Sequence, residues 1–269
     1  MPPARRIPLP CGGWLNVHEQ AGQGPTLVLI HGLTDCAESF RLMLPDLAGR
    51  HLVIPDLRGH GASFRGTISD LASLTEDIAA VLSLLRLGEV IFVGHSMGAL
   101  VALHLVLRGR VSAAGLVTIS GSLRPGGPSL CAMSAEVRNL PDPLPIDHPF
   151  LDAWHACRRP VPEAFLVPLR ISCVAMRRED WMACLDLLEA TDLLSAARDL
   201  QLPSLVLAGS CDEIFARPHN DELVAALNPL RSRVFDLVGH NPHWEMPDQV
   251  ASELRAFADR CSRVRSAIG

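Results

Sequence analysis

The sequence predicts an α/β fold, in which helices cover both faces of a mostly parallel β-sheet. Short continuous apolar runs, typical of strands buried on both faces, alternate along the chain with segments whose apolar residues recur at helical spacing. Hydrophobic residues make up 48% of the 269 residues and charged residues 20%, which allows a large core and argues against disorder. In such sheets a functional site lies beyond the carboxyl ends of the strands.

The predicted elements of the first half follow these patterns. They are an early edge strand at 14–19, a buried strand at 26–30, a short helix at 40–47 with Ser39 as a possible N-cap, a strand at 52–54, a helix at 74–87 that Gly88 ends, a strand at 90–93, a helix from 99 to 107 and a buried strand at 114–119. The strands and helices alternate, as a parallel sheet requires.

The composition changes after Ser120. Proline and glycine are frequent up to residue 150, and residues 150–200 then have a helical pattern. Strand character resumes at 205–207, and a helix at 218–227, a strand at 233–237 and a helix at 247–263 complete the chain. We therefore interpret residues 122–200 as an insertion of mostly helices, and residues 1–121 and 201–269 as one core domain.

Composition also limits the partners and the compartment. The net charge of −5, from 24 basic and 29 acidic residues without a long run of one sign, argues against nucleic acid as a partner. The eight cysteines form no C-x-x-C pair, so we expect reduced thiols in a cytoplasmic protein and no zinc site. We expect neither a signal peptide nor a membrane span, because no stretch reaches the roughly 18 apolar residues that a span needs.

The strongest local motif is Gly-His-Ser-Met-Gly at residues 94–98, which lies between a predicted strand and a predicted helix. A serine on so tight a turn has strained backbone angles, and side chains two positions before and after it would collide. Gly94 and Gly98 remove that collision. The motif therefore predicts Ser96 as a nucleophile whose hydroxyl projects over the end of the sheet.

A nucleophilic serine needs a base and a carboxylate that orients the base. His240 follows the last predicted strand and is the expected base; His243, in the same loop, is the rival, and a packing role is favoured for it. Asp212 follows the strand near 205–208 and is the expected acid, with the adjacent Glu213 as the alternative. His95 is expected to point away from the site.

The negative oxygen that develops on the substrate needs preorganised N–H donors. The backbone N–H of Met97, at the start of a helix, is one expected donor, and the helix dipole favours negative charge there. The backbone N–H of Leu33, in the loop after the strand at 26–30, is the other. This chemistry requires neither a metal nor an organic cofactor.

The chain resembles the α/β-hydrolase superfamily in five segments that occur in the family's order. They are HGL at 31–33, PDLRGHG at 55–61, GHSMG at 94–98, GSCD at 209–212 and GHNPHWEMP at 239–247. The resemblance implies an eight-stranded sheet, with Ser96, Asp212 and His240 as catalytic triad. It also implies that residues 122–200 form a cap domain that roofs the pocket, and that the loop at 55–61 is structural.

The resemblance also guides the expected reaction. Dehalogenases and epoxide hydrolases of this fold use aspartate where this chain has Ser96, and ring-cleaving C–C hydrolases usually have asparagine and tryptophan where His95 and Asn241 stand here. We therefore expect hydrolysis of a small, apolar carboxylic ester or lactone. A C–C bond hydrolase, an acyltransferase or thioesterase, and a slow-turnover receptor stay open as alternatives. The protein is expected to be a monomer or a homodimer.

The residues expected to line the substrate pocket come from the core and the insertion. They are His31, Trp154, Trp181 and His243. Tryptophans of a small helical domain also commonly form its own core.

Overall fold

An eight-stranded sheet forms the centre of the computed structural model, which describes residues 1–266, with side chains as far as residue 263. The strands are β1 (Ala4–Pro8), β2 (Trp14–Gln20), β3 (Gln23–Ile30), β4 (Arg50–Pro55), β5 (Val90–His95), β6 (Ala113–Ile119), β7 (Ser204–Gly209) and β8 (Arg231–Phe235). Their spatial order is β1-β2-β4-β3-β5-β6-β7-β8. Within the described residues only the pairs β1–β2 and β2–β4 are antiparallel, so the predicted fold class is confirmed.

Helices connect the strands and cover the sheet. They are a 3₁₀ helix (Ala37–Leu47), α1 (Leu71–Leu84), α2 (Met97–Leu107), α3 (Pro128–Asn139), α4 (Phe150–Trp154), α5 (Glu163–Ala175), α6 (Arg178–Ala190), α7 (Leu194–Ala197), α8 (Arg217–Leu227), α9 (Pro242–Glu245) and α10 (Pro247–Ser266). None of the helices within residues 1–266 is both long enough and apolar enough to span a bilayer.

Side-chain alternation along the central strands supplies two hydrophobic layers. In β3, Val28 and Ile30 belong to the layer on the α1 and α2 face, while Leu27 and Leu29 face the layer formed with the 3₁₀ helix and α10. Successive side chains of a strand point to opposite faces, so a strand covered on both faces must be apolar throughout. This explains why continuous apolar runs identified the central strands from the sequence.

Three elements differ from their predicted form. β2 lies between β1 and β4, so the edge strand is β1, whose single buried residue, Ile7, gives no apolar run to detect. The helix predicted at 40–47 is a 3₁₀ helix that begins at Ala37, and Ser39 lies inside it rather than capping it. The helix predicted at 74–87 spans Leu71–Leu84, because the Asp70 side chain accepts a hydrogen bond from the Ser73 N–H (2.8 Å).

The segment between β6 and β7 contains α3 to α7 and no strand among the described residues. It is anchored to the loop after β3 by the indole Nε1–H of Trp154, which donates to Thr34 Oγ1 at 2.8 Å. Phe165 of α5 packs against Trp244 of α9, with ring centroids 5.6 Å apart. These contacts hold the segment over the carboxyl ends of the parallel strands.

Candidate active site

Ser96 lies at the sharp turn between β5 and α2. Its backbone angles are φ 51° and ψ −118°, a conformation that is strained for any residue other than glycine. Two hydrogen bonds hold the turn: the Ser96 N–H donates to the Ile119 carbonyl (3.0 Å), and the Ala99 N–H donates to the Ser96 carbonyl (2.9 Å). The surrounding sheet thus fixes a strained serine whose side chain reaches a cavity.

The two flanking glycines allow the backbone to turn this tightly. A Cβ on Gly94 would lie 2.2 Å from the carbonyl oxygen of Gly98, and a Cβ on Gly98 would lie 2.1 Å from the carbonyl oxygen of Ile30. Both contacts involve backbone atoms, which cannot rotate away as a side chain can. The turn therefore requires glycine at both positions.

Gly98→Ala is expected to destabilise the protein by about 3 kcal/mol, because a backbone segment has to move to accept the methyl group. The thermal unfolding midpoint should fall accordingly, and any activity that depends on Ser96 should fall with it. Gly88→Ala is the matched control, since nothing lies within 4 Å of a Cβ at Gly88. Equal midpoints for the two variants would contradict this explanation of the motif.

His240 is held by Asp212. The His240 Nδ1 lies 2.9 Å from Oδ1 and 2.8 Å from Oδ2 of Asp212. Because a carboxylate only accepts, this contact places the proton on Nδ1 and leaves Nε2 free to act as a base. His240 and Ser96 line the same cavity. The structure therefore places the predicted base against the predicted acid, and it places His240 and Ser96 on one cavity.

Asp212 is strongly biased toward its charged form. Burial alone raises its pKa, but the charge and hydrogen bond of His240, together with the N–H groups of Phe215 and Ile214 (2.9 and 3.0 Å), lower it to about 2. Glu213, the alternative acid, also borders the cavity, but its side chain is 79% exposed and pairs with Arg158. Of these two carboxylates, Asp212 is the one that contacts the His240 ring.

The two expected oxyanion donors come from the start of α2, for Met97, and from the loop after β3, for Leu33. Within the described residues, neither the Leu33 N–H nor the Met97 N–H donates to another backbone carbonyl. Met97 is the first residue of α2, where N–H groups lack partners inside the helix. Leu33 lines the cavity and precedes Thr34, which has φ 65° and accepts the Trp154 hydrogen bond.

The cavity beside Ser96 has a volume of about 460 Å³. Residues from the core and from the α3–α7 segment line it: Leu33, Asp35, His95, Ser96, Leu130, Met133, Ala153, Trp154, Ala156, Cys157, Arg158, Leu188, Cys211, Glu213, Ile214, Phe215, Gly239, His240, Asn241 and Trp244. A site of this size accommodates a small organic molecule.

Of the four residues predicted to line the pocket, the structure places only Trp154 there. Trp181 packs inside the insertion against Trp154 and Phe150, with ring centroids 5.3 and 5.9 Å apart. His243 is fully buried behind His95, and the two ring centroids are 4.3 Å apart. Trp181 and His243 are therefore buried among other side chains and do not line the cavity, which corrects their assignment to the pocket.

His31 is the third correction. It is fully buried and both ring nitrogens are occupied: the Leu57 N–H donates to Nε2 (3.0 Å), and Nδ1 lies 2.8 Å from the Gly32 carbonyl oxygen. Because Nε2 accepts, the ring is neutral and Nδ1 is the donor. Burial, only partly offset by the Gly32 hydrogen bond, lowers the pKa of His31 to about 4.

His31 should make the protein sensitive to mild acid. Its pKa is 6.5 in the unfolded chain and about 4 when folded, so its stabilising contribution is complete above pH 6.5 and is lost as the pH falls toward 4. Between pH 7 and pH 5 the wild type should lose about 2 kcal/mol more unfolding free energy than His31→Gln. Denaturant titrations of both proteins at the two pH values measure this difference; parallel losses would contradict it.

The sequence-based prediction missed two residues that line the cavity. His95, expected to point away, lines the cavity, and its Nε2 donates to the carbonyl oxygen of His240 at 3.0 Å. Asp35 also lines the cavity; burial raises its pKa to about 7 despite its hydrogen bond with Ser39. The Gly-His-Ser-Met-Gly motif places His95 next to Ser96 in the sequence. It does not reveal the direction in which the histidine side chain points. Asp35 could have been noted from its place two residues after Leu33.

Comparisons with known proteins agree with the fold. A model described as the alpha/beta hydrolase family matches residues 27–253. Lipase LipV of Mycobacterium tuberculosis is 27% identical over 261 residues, which cover 90% of this chain and 97% of the lipase. The magnesium-chelatase 30 kDa subunit of Rhodobacter capsulatus is 37% identical over 108 residues, but the match covers 39% of this chain and 37% of that subunit. The solved structure of an esterase from Exiguobacterium antarcticum superposes with a TM-score of 0.84 at 19% identity, covering 96% of this chain and 100% of the esterase.

Proposed function

This chain belongs to the alpha/beta hydrolase family, and we propose that it is a serine hydrolase that cleaves a carboxylic ester or lactone through an acyl-enzyme intermediate. The observation that carries the proposal is the contact of Asp212 with His240 Nδ1 beside a cavity that Ser96 and His240 share. A serine hydroxyl becomes an effective nucleophile when an oriented imidazole accepts its proton.

In the first half of the reaction, Ser96 Oγ attacks the substrate carbonyl carbon while His240 Nε2 takes the hydroxyl proton. Asp212 stabilises the imidazolium that forms. The carbonyl oxygen becomes negative and accepts hydrogen bonds from the N–H groups of Leu33 and Met97. Each such donor contributes on the order of 3 kcal/mol to the transition state. The imidazolium then protonates the leaving alcohol oxygen, and an ester of Ser96 remains.

In the second half, water replaces the alcohol. His240 Nε2 takes a proton from the water, whose oxygen attacks the acyl carbon of the Ser96 ester. Collapse of the second tetrahedral intermediate returns the proton to Ser96 Oγ and releases a carboxylic acid. A lactone follows the same steps and yields one hydroxy acid, because its leaving alcohol is part of the same molecule.

We further propose that residues 122–200 act as a cap domain over a core formed by residues 1–121 and 201–269. Apolar residues of the insertion, among them Leu130, Met133 and Leu188, line the cavity together with Ile214 and Phe215 of the core. Such a lining favours a substrate with an apolar acyl or alcohol group.

A substrate panel tests the proposal. Purified protein is assayed with p-nitrophenyl esters of increasing acyl length, aliphatic lactones and acyl thioesters, with Ser96→Ala protein as the blank. We expect turnover of esters or lactones with a preference for apolar groups. Turnover of thioesters alone would indicate a thioesterase, and rates equal to the blank throughout the panel would refute hydrolysis of these substrates.

A further inference from the structure

A buried cluster of three potential metal ligands lies next to His240, whose ring centroid is 5.0 Å from that of His95. Asp35, His95 and His243 each offer one ligand atom, and these atoms all lie within 4.8 Å of one another. His95 Nδ1 and Asp35 Oδ2 are 3.8 Å apart, which is too long for a hydrogen bond. We infer that these three side chains form a binding site for one divalent transition-metal ion of the zinc class.

The hydrogen bonds of His95 leave it ready to bind a metal. Its Nε2 lies 3.0 Å from the His240 carbonyl oxygen, which can only accept, so the proton of the neutral ring is on Nε2. The lone pair is therefore on Nδ1, which is buried and has no hydrogen-bond partner among the described residues. A metal needs such a deprotonated nitrogen. A buried lone pair without a partner is otherwise costly.

His243 and Asp35 are held by a shared neighbour. Ser39 Oγ lies 3.0 Å from His243 Nε2 and 3.0 Å from Asp35 Oδ2, and it accepts a third hydrogen bond from the Trp244 indole (3.0 Å). The Nδ1 of His243 is buried and, within the described chain, also lacks a hydrogen-bond partner. Metal ligands are commonly oriented by outer partners of this kind.

The donor set and its dimensions fit a zinc-class ion. Two imidazoles and one carboxylate are ligands that Zn²⁺ and Co²⁺ accept, and three protein ligands leave a fourth position for water. An ion at the centre of atoms 4.8 Å apart would be about 2.8 Å from each. Shortening these distances to about 2.1 Å requires each side chain to move inward by less than 1 Å. Asp35 and His95 also line the cavity, which provides an entry path.

A bound ion would affect the proposed reaction through its charge. One carboxylate and two neutral imidazoles leave a divalent ion with a net charge of +1. The His95 and His240 rings are 5.0 Å apart, so this charge opposes the positive imidazolium that His240 forms in the transition state. A bound ion should therefore inhibit hydrolysis, a consequence that rests on the proposed function.

The test measures metal binding without reference to turnover. Chelator-treated protein is titrated with Co²⁺ and with Zn²⁺ at neutral pH, and bound metal is counted after gel filtration. We expect one equivalent and visible cobalt d–d bands without the near-ultraviolet band of a cobalt–thiolate bond, which excludes the cysteines. His95→Gln and His243→Gln should abolish this binding, while His51→Gln, at the start of β4, should retain it. Ser39→Ala should weaken the affinity about 10- to 100-fold.

Several results would overturn the inference. They are less than a tenth of an equivalent on the wild type, a thiolate band, or equal binding by the wild type and the ligand variants. Circular dichroism checks that each variant folds. If a histidine variant does not fold, metal binding is measured with Asp35→Asn instead, because this substitution keeps the size of the side chain. Zn²⁺ that binds without inhibiting would remove only the inhibitory consequence, and absent binding leaves the proposed hydrolysis untouched.

Discussion

Replacing Ser96 with alanine is expected to lower kcat about 10⁶-fold on whichever ester or lactone the protein turns over, because no acyl-enzyme can form. The fold should survive. The Ser96 side chain makes no capping hydrogen bond to α2, so its removal costs the helix no cap. Stopped-flow and steady-state assays measure the loss, and thermal unfolding checks the stability.

Ser112→Ala is a suitable control for this experiment, since Ser112 is an exposed serine just before β6. It should retain the wild-type rate. Ser96→Ala protein with more than about 1% of wild-type kcat would mean that another nucleophile carries the reaction, whatever the geometry of the turn.

Asp212→Asn is expected to lower kcat about 10⁴-fold. The Ile214 and Phe215 N–H groups both donate to Oδ1, so the new amide keeps its oxygen there and turns its NH₂ toward His240 Nδ1, 2.8 Å away. An NH₂ group needs an acceptor, so His240 Nδ1 loses its proton and Nε2 takes it. The nitrogen that should act as the base is then blocked.

Glu213→Gln is the matched control for Asp212→Asn. The two carboxylates are adjacent in sequence, but the Glu213 side chain is exposed and pairs with Arg158. Exposed ion pairs contribute little, so this variant should stay within about twofold of wild type. The reverse pattern, a large loss at Glu213 and none at Asp212, would move the acid to Glu213.

The elements that the sequence predicts well are those whose pattern is local. β3, β5 and β6 are buried on both faces, and each therefore appears in the sequence as an uninterrupted apolar run. β1 pairs with β2 along five residues, but four of its five side chains are exposed, so the pairing depends on backbone hydrogen bonds that leave no mark in the sequence.

In the candidate site, too, the predictable features are those that depend on local sequence. Ser96, Asp212 and His240 were expected from their positions after predicted strands, and the structure places Asp212 against His240. The surroundings of His31, His95 and His243 could not be predicted from the sequence, because they depend on contacts between segments far apart in the chain. His243, for example, contacts Ser39, which lies 204 residues earlier. Whether a histidine binds a substrate, packs or holds a loop is decided by such contacts.

The most direct test of the central proposal is covalent trapping of the nucleophile. Wild-type protein is treated with a fluorophosphonate, and intact mass and peptide mapping locate the adduct. We expect one adduct, on Ser96, that forms slowly in Asp212→Asn and not at all in Ser96→Ala. An adduct on another residue lining the cavity, or undiminished ester hydrolysis by protein that carries no adduct on Ser96, would contradict the proposal.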